Sequence, residues 1–219
     1  MPISSLIDKQ DNSEAIRDQV ASILATETAS QQALAVLDDQ DPQPWKLRVY
    51  LERMNAWEQY QVDVEDDSPI VNVWLDSVNF SAQNGNTVQT QRGETLINID
   101  CYALGESTED DDGHIPGDLL AALGAQRAAR LVRNILMASI YTYLGLTRGI
   151  VGRRWIDSIQ TMQSEKHPQS VQQIGAARVA LKVVHTETSP QYEGETLETI
   201  TCGVKRRPDG LVYFTTEQE

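Results

Sequence analysis

The 219-residue sequence predicts an α+β fold, a mostly antiparallel sheet with helices on one side. Three observations carry this. Several segments alternate apolar and polar residues with a period of two. One long stretch, 118–145, repeats with a helical period. The elements follow in the order helix, strand, hairpin, long helix, hairpin, strand, without the βαβ alternation of a doubly wound domain. A single domain over 1–219 is expected, with an N-terminal helical region (1–44), a body (45–206) holding the sheet and the long helix, and a tail (207–219).

Asp11, Asn12 or Ser13 caps a helix starting near Glu14, in which Ile16, Val20, Ile23 and Leu24 recur at helical spacing, and 33–37 adds a further turn. The acidic DDQDPQP (38–44), with two prolines, is a connector. In WKLRVYLERM (45–54), Trp45, Leu47, Val49 and Leu51 alternate with polar partners as in a strand, although Leu47, Leu51 and Met54 also fit a helix. DVEDDSP (63–69) is an acidic turn. IVNVWLDSVNF (70–80) and TLINIDCYAL (95–104) are strands rich in β-branched and aromatic residues. Asn84-Gly85 suits a type I′ turn, because both central positions need positive φ. Residues 70–104 therefore form one long hairpin whose polar outer arm (81–94) projects; a flexible loop is the alternative for that arm.

ESTEDDDGHIPG (106–117) is an acidic loop. The long central helix starts at Asp118 and stops at Gly145. Ala121, Ala125, Ala128, Leu131, Val132, Ile135 and Leu136 share one face, and Arg127, Arg130 and Arg133 fan across the opposite one. Over the last two turns that second face becomes apolar, with Met137, Ile140, Tyr141 and Leu144. It meets either a neighbouring subunit or the interior of the monomer. Gly149 and Gly152 mark a turn, RWIDSIQTMQ (154–163) and AARVALKVVHTET (176–188) are strands around a polar loop (164–175), SPQYEGE (189–195) is a turn, and TLETITCGVKR (196–206) is a last strand before the RPDG turn (207–210) and the tail.

Composition narrows the function. The net charge is −14. Residues 1–113 hold 22 acids and six bases, a net of −16, whereas the remainder holds ten acids and twelve bases, a net of +2. Such a chain is a poor general binder of nucleic acid, whose affinity rests on phosphate neutralisation by Lys and Arg. It can pair its acidic half with the basic half of a second copy, or simply solvate both. Two cysteines make no disulfide scaffold and no zinc pattern, no apolar run reaches the ~18 residues of a membrane helix, and the first residues have no secretory leader pattern. Synthesis in the cytoplasm is expected.

No catalytic motif stands out. His114, His167 and His185 lack metal-ligand spacing, and His185 with Glu187 reads as a structural pair. Glu109 to Asp112 lack the EF-hand layout. Cys101 reads as a buried, inert thiol. No phosphate-binding glycine loop or nucleophile elbow occurs. A non-enzymatic protein without cofactor or metal is expected. The arginine fan has three readings: a subunit interface whose partners are the acidic loops 38–41, 63–67 and 109–112, a solvated helix face, or a DNA contact. The residues expected at an interface between copies are Arg127, Arg130, Arg133, Asp110, Asp111, Asp112, Asn84 and Gly85.

ERMNAWEQY (52–60), SPIVNVWLDSVNF (68–80), NIDCYALG (98–105), AQRAARLVRNILMASIYTYLGL (125–146) and SPQYEGETLETI (189–200), with the element order, resemble tailed-bacteriophage tail terminators, also called tail completion or head–tail joining proteins. The resemblance spans roughly 45–206. It implies a small α+β domain that assembles as a hexameric ring, caps the tail tube and, in contractile tails, the sheath, and presents a surface to the neck or head-completion protein while genomic DNA passes through the lumen. It implies a virion protein of the head–tail junction, with no membrane partner. The alternative within the same setting is another neck connector or a baseplate adaptor.

Overall fold

The computed structural model describes residues 8–63, 65–80, 86–110, 113–162, 172–189, 200–206 and 212–218. Contacts divide the chain into two compact units: one runs from 8 to 189, and the other takes in the remaining residues, 1–7 and 190–219.

The larger unit is α+β. Its first helix, α1 (Asn12–Leu37), opens with a capping box: the Glu14 carboxylate accepts the Asp11 N–H at 3.1 Å. Ile16, Val20, Ile23 and Leu24 are buried along one stripe, as their spacing predicts. A short edge strand, β1 (Arg48–Leu51), follows, so 45–54 takes the strand alternative for four of its residues. One turn of helix, α2 (Gln59–Val62), leads to the hairpin of β2 (Ile70–Phe80) and β3 (Thr90–Glu106). Their antiparallel register runs from Ile70 opposite Tyr102 to Phe80 opposite Gly93, with a bulge between Leu75 and Ser77. Asn84 and Gly85 lie outside the described residues.

The acidic stretch read as a loop contains a small hairpin, β4 (Thr108–Asp110) and β5 (Gly113–Ile115), turned where Gly113 takes φ +122°. Then come α3 (Gly117–Leu136) and the strands β6 (Val151–Met162) and β7 (Gln172–Thr188). The sheet order is β1-β2-β3-β7-β6, with β1 parallel to β2 and every other pair antiparallel. The hairpin arm does not stand alone, because β7 pairs with β3 over all of β3, from Thr90–Thr188 to Glu106–Gln172.

Helices α1 and α3 cover one face of this sheet. Its inward residues, among them Val71, Val73, Ile97, Ile99, Cys101, Val179, Leu181 and Val183, join the helix stripes in one core. The alanine stripe of α3 has a steric cause. A Cβ on Gly105 would stand 2.1 Å from the Gly117 carbonyl oxygen, and one on Gly175 2.5 Å from the Ala121 carbonyl. Small residues on both sides let the first turns of α3 lie directly on β3 and β7.

The long helix is shorter than its sequence suggests. It ends at Leu136 rather than Gly145, and its 20 residues span about 30 Å. Ala138 is extended, Ser139–Tyr141 forms a single 3-10 turn, and Leu144 and Gly145 are both left-handed. Arg154 on β6 explains the early stop. Its guanidinium donates to the Leu136 carbonyl, to Ala138 O at 3.2 Å and to Tyr141 O at 2.8 Å, satisfying carbonyls that a helix end leaves orphaned. Of the second apolar face read on that helix, Leu144 is buried, Tyr141 is half-buried, and Met137 and Ile140 are exposed.

In the smaller unit β8 (Ile200–Arg206) pairs antiparallel with β9 (Val212–Gln218). The stretch expected to be a tail thus contains a strand. The RPDG turn at 207–210 lies outside the described residues. No helix among the described residues is long and apolar enough to cross a membrane.

Candidate functional site

The helical wheel places the three arginines of α3 as expected. Arg130 and Arg133 are exposed on the face turned away from the sheet, and Arg127 is half-buried. Arg127 sits over the Trp45 ring, its guanidinium carbon 6.0 Å from the centroid. Arg133 lies in the last turn of α3, where a cation complements the helix dipole. None of the three makes an ion pair within the chain among the described residues.

The acidic members of the expected interface are only partly in view. Asp110 ends β4, while Asp111 and Asp112 lie outside the described residues. Beside them, the exposed Glu109 carboxylate stands 3.9 Å from His114.

A groove of about 330 Å³ runs between α1 and α3, with Arg127 stacked on one of its lining residues, Trp45. Thr28 and Gln31 line it from α1, Leu131, Asn134 and Ile135 from α3, and Trp45 from the connector. Tyr141 closes one end and donates its hydroxyl to Glu27. That hydrogen bond, helped by burial, raises the Tyr141 pKa. Ile140 projects from the rim, 80% exposed. The Thr28 hydroxyl, on a residue only 3% exposed, has no partner among the described residues. The sequence signalled Ile140 and Tyr141 as apolar positions needing cover. It gave no sign of Trp45 or Thr28, since the groove joins segments about a hundred residues apart.

The sheet face away from the helices carries a second constellation that the sequence reading passed over. Asp100 on β3, 4% exposed, accepts from Arg178 on β7 and from the Trp74 indole on β2 at 3.0 Å. Arg178 also stacks on Trp74, at 5.1 Å. The signal was present in NIDCYAL (98–104), where Asn98, Asp100 and Tyr102 alternate with Ile99, Cys101 and Ala103. The period of two turns them to the other face.

His185 and Glu187 do share a strand face, and their role is structural. His185 is buried, with Nδ1 3.2 Å from the Thr95 hydroxyl and Nε2 3.1 Å from Glu187 Oε1, the latter contact lying outside hydrogen-bond angles. Glu187 accepts the backbone N–H groups of Asn12 at 2.9 Å and Ser13 at 2.8 Å, so β7 supplies an anion to the N-terminus of α1. Burial pushes the Glu187 pKa up, but the adjoining imidazole and the two N–H groups outweigh it and hold it below the ordinary carboxylate value. Burial keeps the Cys101 thiol strongly raised and protonated, the state of an inert cysteine. Among the described residues, no group of three or more His, Cys, Asp or Glu side chains could hold a metal ion.

The arrangement thus offers a cationic face of α3, without an ion pair among the described residues, and an apolar groove with one unsatisfied hydroxyl. No protein-family model matches the chain, and no curated protein matches it.

Proposed function

We propose that this chain is a non-enzymatic virion protein of a tailed bacteriophage, a tail terminator that forms a ring at the head–tail junction, caps the tail tube and lets DNA pass. The observation that carries the reading is the arginine stripe of α3, unpaired within the chain among the described residues, in a protein of net charge −14. A basic patch facing away from its own acids calls for an acidic partner, and a second copy supplies one. Contacts between two different patches are heterologous, and such contacts form a ring when the rotation from copy to copy closes. The remaining negative charge repels phosphate, which suits a lumen that DNA must traverse without sticking. The residues at 52–60, 68–80, 98–105 and 125–146 that resemble terminators fall on α2 and the turn before it, the central hairpin, and α3 with the turns after it.

Deleting the gene from the phage tests this. Loss of the cap gives tails of irregular, excess length without heads, and the purified chain added back binds the head-proximal end of the tube. Tails of normal length joined to filled heads would overturn the reading. In solution a hexamer reads as six times 24.4 kDa, about 146 kDa, by light scattering. An image of the virion with the chain at another neck or baseplate position would replace the terminator with an adaptor.

A further inference from the structure

The groove between α1 and α3 has an apolar lining, and the same chain presents a segment of matching chemistry. We propose that the groove is the socket for segment 51–67 of a second copy, with Met54 entering the groove and the acids of that segment facing the arginines. This rests on the reading that the chain assembles with itself.

Three properties of the groove define its occupant. Trp45, Leu131, Ile135 and the rim residue Ile140 ask for an apolar side chain. The unpartnered Thr28 hydroxyl asks for a polar group within reach, because a buried hydroxyl left without a hydrogen bond is destabilising. Arg127, stacked on the groove residue Trp45, asks for negative charge, and Arg130 and Arg133 extend the cationic face of α3 away from it. A DNA backbone would meet only the last demand.

Segment 51–67 meets all three. Met54 is 95% exposed, an apolar side chain left almost wholly in water, and Val62 is 77% exposed. Methionine is unbranched and adapts to irregular cavities. Glu65 and Asp67 are exposed and make no ion pair among the described residues. The exposed Asn55 next to Met54 offers a side-chain amide as the polar group for Thr28. The segment is held ready rather than loose. The Tyr60 hydroxyl is buried and lies 3.2 Å from Ser68 O and 3.0 Å from Tyr102 O, with Arg48 stacked on its ring at 4.8 Å. The Asn72 side chain, in turn, donates to Arg53 O at 2.8 Å and accepts the Arg53 N–H at 3.0 Å. A pre-ordered knob loses little entropy on docking. Knob and socket are different surfaces of one chain, so each copy offers both and the contact propagates from copy to copy.

Disulfide trapping tests the pairing, because a bond forms only when two Cβ atoms come within about 4 Å. In a Cys202→Ser background, Met54→Cys and Ile140→Cys proteins are mixed and oxidised, with Val88→Cys, another highly exposed site, as the mismatched control. The expected result is a species of twice the chain mass in the Met54→Cys plus Ile140→Cys mixture, its absence with Val88→Cys, and a closed ladder in the double variant. Light scattering on the same samples separates the two ideas. A ring that forms without the cross-link overturns the socket and leaves the ring standing. A chain that stays monomeric alone and on purified tails overturns both. Binding of a short DNA duplex that Arg130→Glu abolishes, again without the cross-link, would give the stripe to nucleic acid and overturn the socket.

Discussion

Arg178 grips Asp100 across the β3–β7 pair, with Nε 2.6 Å from Oδ1 and Nη2 3.0 Å from Oδ2. The two-pronged geometry fixes both side chains on the sheet face opposite α1 and α3, and the Asp100 carboxylate raises the Arg178 pKa.

Replacing Arg178 with Ala leaves a nearly buried carboxylate without its charged partner. The expected loss is about 3 kcal/mol, the low end for a broken buried pair, because Arg178 itself is a third exposed to water. The double change Asp100→Leu with Arg178→Leu removes both charges and costs less than Arg178→Ala alone. Urea denaturation of the three proteins measures this.

Gly175→Ala is destabilising although it adds one methyl group. That methyl would stand 2.5 Å from the Ala121 carbonyl, which is helix backbone and cannot rotate aside. A loss of about 3 kcal/mol is expected, at the upper end for overpacking, and read as a lowered thermal midpoint. A methyl at Gly149, which meets nothing within 4 Å, gives a smaller loss, set by its φ of +98° alone.

Arg154→Ala frees the carbonyls at the end of α3. Hydrogen bonds from a charged donor contribute about 1.5–3 kcal/mol, and the loss is expected within that range. Hydrogen exchange at 137–141 should quicken more than exchange at the N-terminal turns of α3, which contact β3 and β7 instead.

Glu187 makes the docking of α1 sensitive to acid. Its folded-state pKa lies below the ordinary 4.5, so its stabilising effect is full above that value and is lost as pH falls through the folded value. Stability should therefore fall on acidification below about pH 4.5. Glu187→Gln should lower stability at neutral pH and flatten that acid limb. A limb unchanged by Glu187→Gln would place the acid response in other carboxylates.

Arg130→Glu with Arg133→Glu leaves the fold intact, because both side chains are exposed, and weakens assembly. Light scattering should show the ring population lost, and phage carrying the change should yield defective tails. Fully formed, infectious virions would remove the arginine stripe from the interface.

The parts of the fold that read cleanly from sequence are those set by local chemistry. Asp11 and Glu14 announce the start of α1, and the alternation through Ile97, Ile99 and Cys101 announces β3. The parts that did not read are set at a distance. Nothing near Leu136 says that α3 stops there, since the group that ends it is Arg154, 18 residues further on. The strand β9 was missed for another reason: Val212, Tyr213, Phe214 and Thr215 carry a strand signal, but a turn at 207–210 followed by so few residues looked like a tail. The outward face of α3 follows from helical period alone. The stacking of Arg127 on Trp45 joins residues more than 80 positions apart and has no local trace.

The longest pairing in the sheet sets the order in which the chain can fold. Thr90 faces Thr188, and Glu106 faces Gln172, so β3 waits through the synthesis of α3 and β6 before its central partner exists. Closing so long a loop makes this a slow, non-local step. Until residue 188 leaves the ribosome, one edge of β3 and the apolar stripe of α3 stay uncovered. A nascent chain is open to chaperone capture or to pairing with another nascent chain through that interval. Truncation before residue 172 removes β7 altogether and should give insoluble product, whereas a chain ending at 189 keeps every strand of the main sheet.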